Sequence, residues 1–253
     1  MEKLLENKVL FVSGAGRGIG AAAAKLFAAE GAQVMLAART ESELAAVTKE
    51  ITASGGAASY VVFDLADSDS VRTAIDRTVS EYGRLDGAFN NGAIGVPPGP
   101  MDGMAETDLD RAYAVNFKGL WAAMVAEVKA LRASGGRGSI VNTSSIGSLG
   151  ANPALPAYGA LKRAVNSLTE SAAVTYGPEN IRVNAIAPGT TLTELLRDWD
   201  AASPGVIDQL NARTPLGRAA EPDEIAQAAA WLLSDRASYV TGAVLRVAGG
   251  LVV

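Results

Sequence analysis

The chain has 253 residues, of which 49% are apolar and 19% charged, and its formal net charge is -5. It contains neither cysteine nor histidine, which excludes disulfides, histidine-based catalytic triads, cysteine nucleophiles, and zinc sites with histidine or cysteine ligands. An acidic chain without a Lys/Arg-rich run lacks the basic face that nucleic acids require. The sequence also has no long apolar run and no signal-peptide pattern, so the protein is expected to be cytoplasmic with no membrane span.

Short apolar segments alternate with amphipathic helical patterns along most of the chain. The predicted strands cover residues 8–13, 33–38, 59–64, 85–90, 138–144, 181–188 and 242–249. The predicted helices cover residues 18–31, 41–54, 68–83, 105–132, 156–176 and 221–235. Two longer segments, 91–104 and 188–214, are interpreted as irregular, and each follows a strand.

This alternation implies right-handed βαβ units and a parallel sheet covered on both faces. We predict an α/β fold with one domain over residues 1–253: a single-domain Rossmann-type doubly wound sheet of seven parallel strands, with helices on both faces. Ligands of such folds bind at the carboxyl edge of the sheet. Both irregular segments are expected to lie at that edge.

A glycine-rich loop, "SGAGRGIG" at 13–20, separates the first strand from the first helix. Gly14, Gly18 and Gly20 let the backbone turn sharply and approach a pyrophosphate, while the helix that follows offers free backbone N–H groups to an anion. Glycines also collect in ordinary tight turns, but the strand before the loop and the helix after it favour nucleotide binding.

The end of the second strand indicates the cofactor. An acidic residue there binds the ribose 2′-hydroxyl of NAD, whereas this sequence has Ala38 and then Arg39. A guanidinium suits a 2′-phosphate, and Arg17 adds a second positive charge. Each arginine alone is typical of a solvated surface, but together they favour NADP, with NAD still possible. Asp64 is placed either to accept from the adenine amino group or to cap the next helix.

Tyr158 and Lys162 lie one turn apart on one face of the predicted helix 156–176. A tyrosine four residues before a lysine also recurs by chance on surface helices. A nearby ammonium, however, favours the phenolate form of the tyrosine. Lowering the tyrosine pKa by about three units requires roughly 4 kcal/mol of stabilisation of the phenolate relative to the phenol. The segment "NTSSIGSLG" at 142–150 puts serines beside this helix. A serine hydroxyl there can donate to a substrate carbonyl oxygen, whereas Ser144 and Ser148 better fit turn hydrogen bonds.

The ordered set "SGAGRGIG", "NNGA", "SSIGS", "YGALK" and "APG" resembles the short-chain dehydrogenase/reductase family over roughly residues 8–250, and most of all its 3-oxoacyl-[acyl-carrier-protein] reductases and related ketone or alcohol oxidoreductases. The resemblance implies a catalytic tetrad of Asn116, Ser145, Tyr158 and Lys162. Ser145 is preferred because the family serine lies thirteen residues before the tyrosine. Asn116 is implied to bend a helix and hold a water linked to Lys162.

The resemblance also implies cofactor contacts and an assembly. Lys162 would hold the nicotinamide ribose, Thr191 and Thr193 the carboxamide, and Asn91 and Leu65 would line the cofactor. A homotetramer is implied, with helices 105–132 and 156–176 between subunits, although the sequence alone fits the core of a monomer equally. The full set of expected cofactor contacts is Gly14, Arg17, Gly18, Ile19, Gly20, Arg39, Asp64, Leu65, Asn91, Tyr158, Lys162, Thr191 and Thr193.

Three positions depart from the family pattern. Gly92-Ala93 stands where the family favours Ala-Gly, Ser13 stands where a threonine is usual, and Ala248 stands where an aspartate is usual. None of them belongs to the tetrad, so activity is expected.

The predicted activity is NADP(H)-dependent interconversion of a ketone and a secondary alcohol, without a metal ion. Segment 188–214 is interpreted as a substrate lid whose apolar side chains, with Ile94 and Val96, indicate a hydrophobic small-molecule substrate. Those lid side chains are Leu192, Leu195, Leu196, Trp199, Val206, Ile207 and Leu210. The alternatives are an NAD-dependent alcohol or hydroxysteroid-type dehydrogenase and a non-catalytic NADP-binding protein.

Overall fold

The computed structural model describes residues 3–251. Its strands are β1 (Val9–Ser13), β2 (Gln33–Ala38), β3 (Ala57–Val62), β4 (Gly87–Asn90), β5 (Gly138–Thr143), β6 (Ile181–Pro188) and β7 (Val244–Val247). Its α-helices are α1 (Gly18–Ala29), α2 (Glu41–Ala53), α3 (Ser68–Tyr82), α4 (Glu106–Tyr113), α5 (Leu120–Ala133), α6 (Pro156–Tyr176), α7 (Glu194–Ala202), α8 (Val206–Arg213) and α9 (Pro222–Leu233). A π-helical segment, Ala114–Gly119, joins α4 to α5.

The seven strands form one sheet in the order β3-β2-β1-β4-β5-β6-β7, and every neighbouring pair is parallel. This confirms the predicted doubly wound, Rossmann-type fold. The order reverses between β1 and β4, so the crossover helices on either side of that point leave to opposite faces. A crevice therefore forms at the carboxyl ends of these two strands.

The core is divided into two layers by the alternation of side chains along the strands. Leu10 and Val12 of β1 belong to a cluster with α1, α2 and α9, while Phe11 between them belongs to a cluster with α3, α5 and α6. Both clusters contain large side chains with no exposed surface, including Phe27 and Phe89 in the first. Burying each such side chain contributes about 1.5–3 kcal/mol, which holds helices on both faces.

Two predictions of local structure are wrong. The stretch 105–132 is not one continuous α-helix, because the π-helical segment Ala114–Gly119 interrupts it. The stretch 188–214 is not irregular, because it contains α7 and α8. These helices have only nine and eight residues, too few for a clear periodic pattern. Gly205, in the left-handed conformation at φ 92°, separates them.

Candidate active site

A cleft of about 370 Å³ lies at the carboxyl ends of the strands around the reversal in strand order. It is lined by these residues from the predicted site: Gly14, Arg17, Gly18, Ile19, Arg39, Asp64, Leu65, Asn91, Tyr158, Lys162 and Thr193. Four predicted residues, Gly20, Asn116, Ser145 and Thr191, are not among the lining residues. The sequence motifs thus converge on one cleft, with these four set behind or beside it.

The glycine loop forms the wall of the cleft next to the N-terminus of α1. Gly14 and Gly18 have φ values of 68° and 55°, a region that side-chain-bearing residues rarely adopt. A Cβ on Gly14 would lie 2.8 Å from the Cα of Gly92, so only glycine allows this approach. A Cβ on Gly20 would overlap the carbonyl oxygen of Gly14. Gly20 therefore closes the turn instead of lining the cleft.

The loop after β4 is fastened to β1 by one hydroxyl. Ser13 Oγ accepts hydrogen bonds from the backbone N–H groups of Asn91 and Gly92, both at 3.1 Å. Serine at position 13 keeps the hydroxyl of the usual threonine, and this hydroxyl makes both hydrogen bonds. A Cβ on Gly92 would come within 2.5 Å of Leu65 Cδ1. The exchange of glycine and alanine at 92 and 93 thus leaves room for Leu65 at the cleft wall.

The end of the cleft beside β2 carries charges of both signs. The exposed side chains of Arg17 and Arg39 line it. The half-buried carboxylate of Glu43 lines it as well, and its Oε2 lies 2.7 Å from the place where a Cβ on Gly16 would be. Sequence reasoning missed Glu43, because an acidic residue in a first helical turn is common and gives no signal of a contact with a distant loop.

Asp64 lies in the cleft lining and does not cap a helix. The strand β3 ends at Val62, two residues earlier than predicted. The N-cap of α3 is Asp67, whose side chain accepts from Asp69 N at 2.9 Å. Asp64 Oδ1 instead accepts from Ala66 N at 2.9 Å. Of the two alternatives for Asp64, the structure rules out the helix cap.

Tyr158, Ser145 and Lys162 meet at the opposite end of the cleft. The side chain of Ser145 lies close enough to the hydroxyl of Tyr158 to lower its pKa. The Lys162 Nζ lies 5.7 Å from the centroid of the Tyr158 ring and donates to the carbonyl oxygen of Thr143 at 2.7 Å. Ser144, by contrast, is buried and donates to the carbonyl oxygen of Lys162 at 3.1 Å. Ser145 is therefore the serine that faces the tyrosine.

Burial controls the ionisation of this cluster. It raises the pKa of Tyr158 to about 12, against the smaller lowering effect of the hydrogen bond from Ser145. It also lowers the pKa of Lys162 to about 8. Within the protein's own groups, the predicted net lowering of the Tyr158 pKa is wrong, because desolvation of the phenolate dominates the shift.

Asn116 ties the π-helical segment to the loop after β4. Its Oδ1 accepts from Ile94 N at 2.8 Å, and its Nδ2 donates to Ile94 O at 2.9 Å. The wider π turn interrupts the regular α-helical hydrogen bonds, in keeping with the implied bend. A proton path through Asn116 stays a prediction.

The segment after β6 begins at the cleft. Thr193 lines the cleft, whereas Thr191 is buried and its hydroxyl donates to Gly189 O at 3.1 Å. Leu195 on α7 also lines the cleft and is 61% exposed. Two other predicted lid residues, Leu192 and Ile207, line a separate cavity. The predicted lid residues therefore do not all face the cleft.

A family model described as enoyl-(acyl carrier protein) reductase matches residues 14–252. With the relatives below, this match shows that the chain belongs to the short-chain dehydrogenase/reductase family. It is therefore an oxidoreductase of alcohols or ketones that uses a nicotinamide dinucleotide, as the motifs predicted.

Particular relatives extend over the whole chain. An A-factor type gamma-butyrolactone 1'-reductase (1S-forming) from Streptomyces virginiae is 46% identical over 250 residues, covering 99% of this chain and 97% of the relative. A 2,5-dichloro-2,5-cyclohexadiene-1,4-diol dehydrogenase from Sphingobium indicum is 40% identical, covering 97% of each. A 3-oxoacyl-[acyl-carrier-protein] reductase from Thermotoga maritima is 36% identical, covering 98% of this chain and 99% of the relative. The crystal structure of levodione reductase is similar with a TM-score of 0.93 and 32% identity, covering 97% of this chain and 98% of that one.

Among residues 3–251, no helix combines the length and apolar character needed to cross a membrane.

Proposed function

We propose that the protein is an NADP(H)-dependent oxidoreductase that interconverts a ketone and a secondary alcohol, with Tyr158 as the acid–base group. The observation that carries this proposal is the meeting of three side chains. The Ser145 side chain interacts with the Tyr158 hydroxyl and lowers its pKa, the Lys162 Nζ lies 5.7 Å from the centroid of the Tyr158 ring, and Tyr158 and Lys162 line the same cleft as the glycine loop.

The glycine cradle fits a dinucleotide. Gly14 and Gly18 leave their wall free of side chains, and the N-terminus of α1 offers backbone N–H groups to a pyrophosphate. Arg17 and Arg39 would hold the 2′-phosphate, Thr193 the carboxamide and Lys162 the nicotinamide ribose. A bound NADPH supplies the hydride that reduces the carbonyl carbon.

The protein's own residues handle the proton. In reduction, Tyr158 donates its phenolic proton to the oxygen of the ketone, while the Ser145 hydroxyl donates a hydrogen bond to the same oxygen. A Tyr158 pKa of about 12 keeps the phenol protonated at neutral pH. Lys162, with a pKa of about 8, is mostly an ammonium at pH 7. Its positive charge favours the phenolate that remains after the transfer.

The substrate class follows from the cleft wall and from the relatives. Apolar side chains of Ile94 and Leu195 line the same cleft as Tyr158. Two of the relatives are named for ring compounds, a gamma-butyrolactone and a cyclohexadiene diol. These observations favour a small ring ketone or ring alcohol with an apolar body, covered by segment 188–214 as a lid.

A second candidate is an NAD-dependent alcohol or hydroxysteroid-type dehydrogenase. One observation favours it: the Glu43 carboxylate lines the end of the cleft beside β2, where negative charge opposes a 2′-phosphate.

We further propose a single catalytic domain that assembles into a homotetramer. Its support is apolar surface on the two long helices: Trp121 and Val125 of α5 are 54% and 40% exposed, and Val174 of α6 is 81% exposed. Covering such side chains in an assembly removes apolar area from water. Light scattering on the purified protein tests this, and a stable monomer at micromolar concentration would contradict it.

The proposed chemistry is tested by Tyr158→Phe. With NADPH and a panel of ring ketones, we expect turnover to fall by about 10²–10⁴-fold, because the general acid is lost. Tyr176→Phe on the same helix is the matched control and should retain wild-type turnover. Nucleotide binding should persist in both variants. Full turnover in Tyr158→Phe would contradict the proposal.

A further inference from the structure

The proposed mechanism leaves one charged residue of the cleft unused. Glu43 belongs to the first turn of α2, and its carboxylate lines the same end of the cleft as Arg17 and Arg39. These three side chains put two positive charges and one negative charge at the place where an adenosine ribose would carry its 2′-substituent.

Local packing fixes the position of Glu43. The next residue, Leu44, is fully buried, and so is the core-facing side of α2 at Val47 and Ile51. A Cβ on Gly16 would lie 2.7 Å from Glu43 Oε2 and 3.1 Å from Glu43 Cβ. The missing side chain of Gly16 therefore leaves the space over the glycine loop that the carboxylate occupies.

No neighbouring cation neutralises this carboxylate within the described residues. None of the salt bridges found in residues 3–251 involves Glu43, Arg17 or Arg39. Capping does not account for Glu43 either, since α2 has no capping box between Glu43 and its N-cap residue, Thr40. All three charges are thus available to a ligand at this end of the cleft.

We infer that Glu43 is a specificity-determining residue that weakens the binding of a 2′-phosphate. As a result, the protein accepts both a cofactor with a free ribose 2′-hydroxyl and a cofactor that is phosphorylated at that position. The inference rests on the proposed function. The arginines attract a phosphate dianion and the carboxylate repels it, whereas a neutral hydroxyl is insensitive to the charge balance and can donate to the carboxylate.

The test measures binding of two adenosine nucleotides that carry no nicotinamide ring, 2′,5′-ADP and 5′-AMP, by isothermal titration calorimetry. In Glu43→Gln, the affinity for 2′,5′-ADP should rise about fivefold at low salt, the upper end of the effect of one solvent-exposed charge pair. The affinity for 5′-AMP should not rise. At about 0.5 M salt most of the gain should disappear, because the charges are partly exposed and screened.

Glu41→Gln is the matched control. Glu41 lies in the same helical turn but outside the cleft lining, where its carboxylate accepts from the Tyr60 hydroxyl at 3.3 Å. The ratio of the two affinities should stay at its wild-type value. Glu43→Ala serves as a second variant and should change the ratio in the same direction as Glu43→Gln.

The outcomes separate this inference from the proposed function. If Glu43→Gln strengthens neither ligand, or both equally, the inference is overturned while the cleft remains a nucleotide site. The NADP assignment is tested by Arg39→Ala, which should weaken 2′,5′-ADP; an unchanged affinity would contradict that assignment and leave the effect of Glu43 standing. Failure of the wild-type protein to bind either nucleotide would overturn both.

Discussion

Two clusters of polar side chains lie along β5, and their comparison separates chemistry from packing. The catalytic cluster, at the carboxyl end of the strand, consists of Ser145, Tyr158 and Lys162. The Glu127 cluster, against the face of the strand, consists of Glu127, Asn90, Asn142 and Thr169. In both, burial favours the neutral form: the pKa of Tyr158 rises to about 12 and that of Glu127 to about 8. Only the catalytic cluster opens onto the cleft.

The Glu127 cluster joins four elements of the fold. Asn90 of β4 donates to Glu127 Oε2 at 3.0 Å and to Asn142 Oδ1 at 3.1 Å. Asn142 of β5 donates to Thr169 Oγ1 of α6 at 2.9 Å. Glu127 has no exposed surface. A strongly shifted pKa therefore marks burial, and access to a cleft is the second condition for a catalytic group.

Among substitutions in the two clusters, Ser145→Ala is expected to change turnover most. Loss of the hydroxyl beside Tyr158 should lower kcat by about 10²-fold, the usual effect of removing one donor to a developing oxyanion. It should also cost about 1 kcal/mol of stability, because Ser145 Oγ accepts from Gly147 N at 3.1 Å. Steady-state kinetics and thermal unfolding measure the two effects.

Ser144→Ala is the control for that substitution, because the Ser144 hydroxyl bonds only within the fold, to Ser148 and to the Lys162 carbonyl. It should cost about 1 kcal/mol of stability and retain most of the turnover. An equal loss of turnover in both variants would contradict the distinction between the two serines.

A smaller effect, on stability and not on catalysis, is expected from Glu127→Gln. The folded protein keeps the Glu127 proton up to about pH 8, whereas the unfolded chain loses it near the ordinary pKa of 4.5. Between these values the folded state binds more protons, so the wild-type stability contributed by this group falls as pH rises. Between pH 5 and pH 8, the free energy of unfolding of the variant should therefore rise relative to that of the wild type by roughly 2 kcal/mol or more.

Denaturant unfolding at several pH values measures this trend, with the exposed Glu170→Gln on α6 as the control for the substitution itself. Turnover should be unchanged in Glu127→Gln within about twofold. A stability difference that does not vary with pH would show that the buried carboxyl is already ionised.

Much of the fold and of the catalytic end could be predicted from the sequence. The strands are short apolar runs bounded by turn residues, and their alternation with helices determines a parallel sheet. Tyr158 and Lys162 are close because one helical turn separates them, which is a local relation. Ser145 follows a strand, and strand ends meet at one edge of a parallel sheet.

Relations between distant segments could not be predicted in the same way. Glu43 approaches the glycine loop only because α2 packs beside α1, and Glu127 appears in the sequence as an ordinary charged residue of a helix. The direction of the Tyr158 pKa shift was wrong for a similar reason. Sequence spacing revealed the attractive ammonium, whereas the burial that outweighs it comes from several elements packed together.

During turnover, the positive charge of Lys162 is expected to stabilise the phenolate of Tyr158. The most direct test is the pH dependence of kcat/KM for alcohol oxidation between pH 6 and 11, a range that approaches the Tyr158 pKa of about 12, compared among the wild type, Lys162→Met and Lys162→Arg. Oxidation requires the phenolate, so loss of the ammonium should move the apparent pKa upward by about one unit or more, and Lys162→Arg should restore part of the shift. Superimposable profiles for the wild type and Lys162→Met would contradict the account.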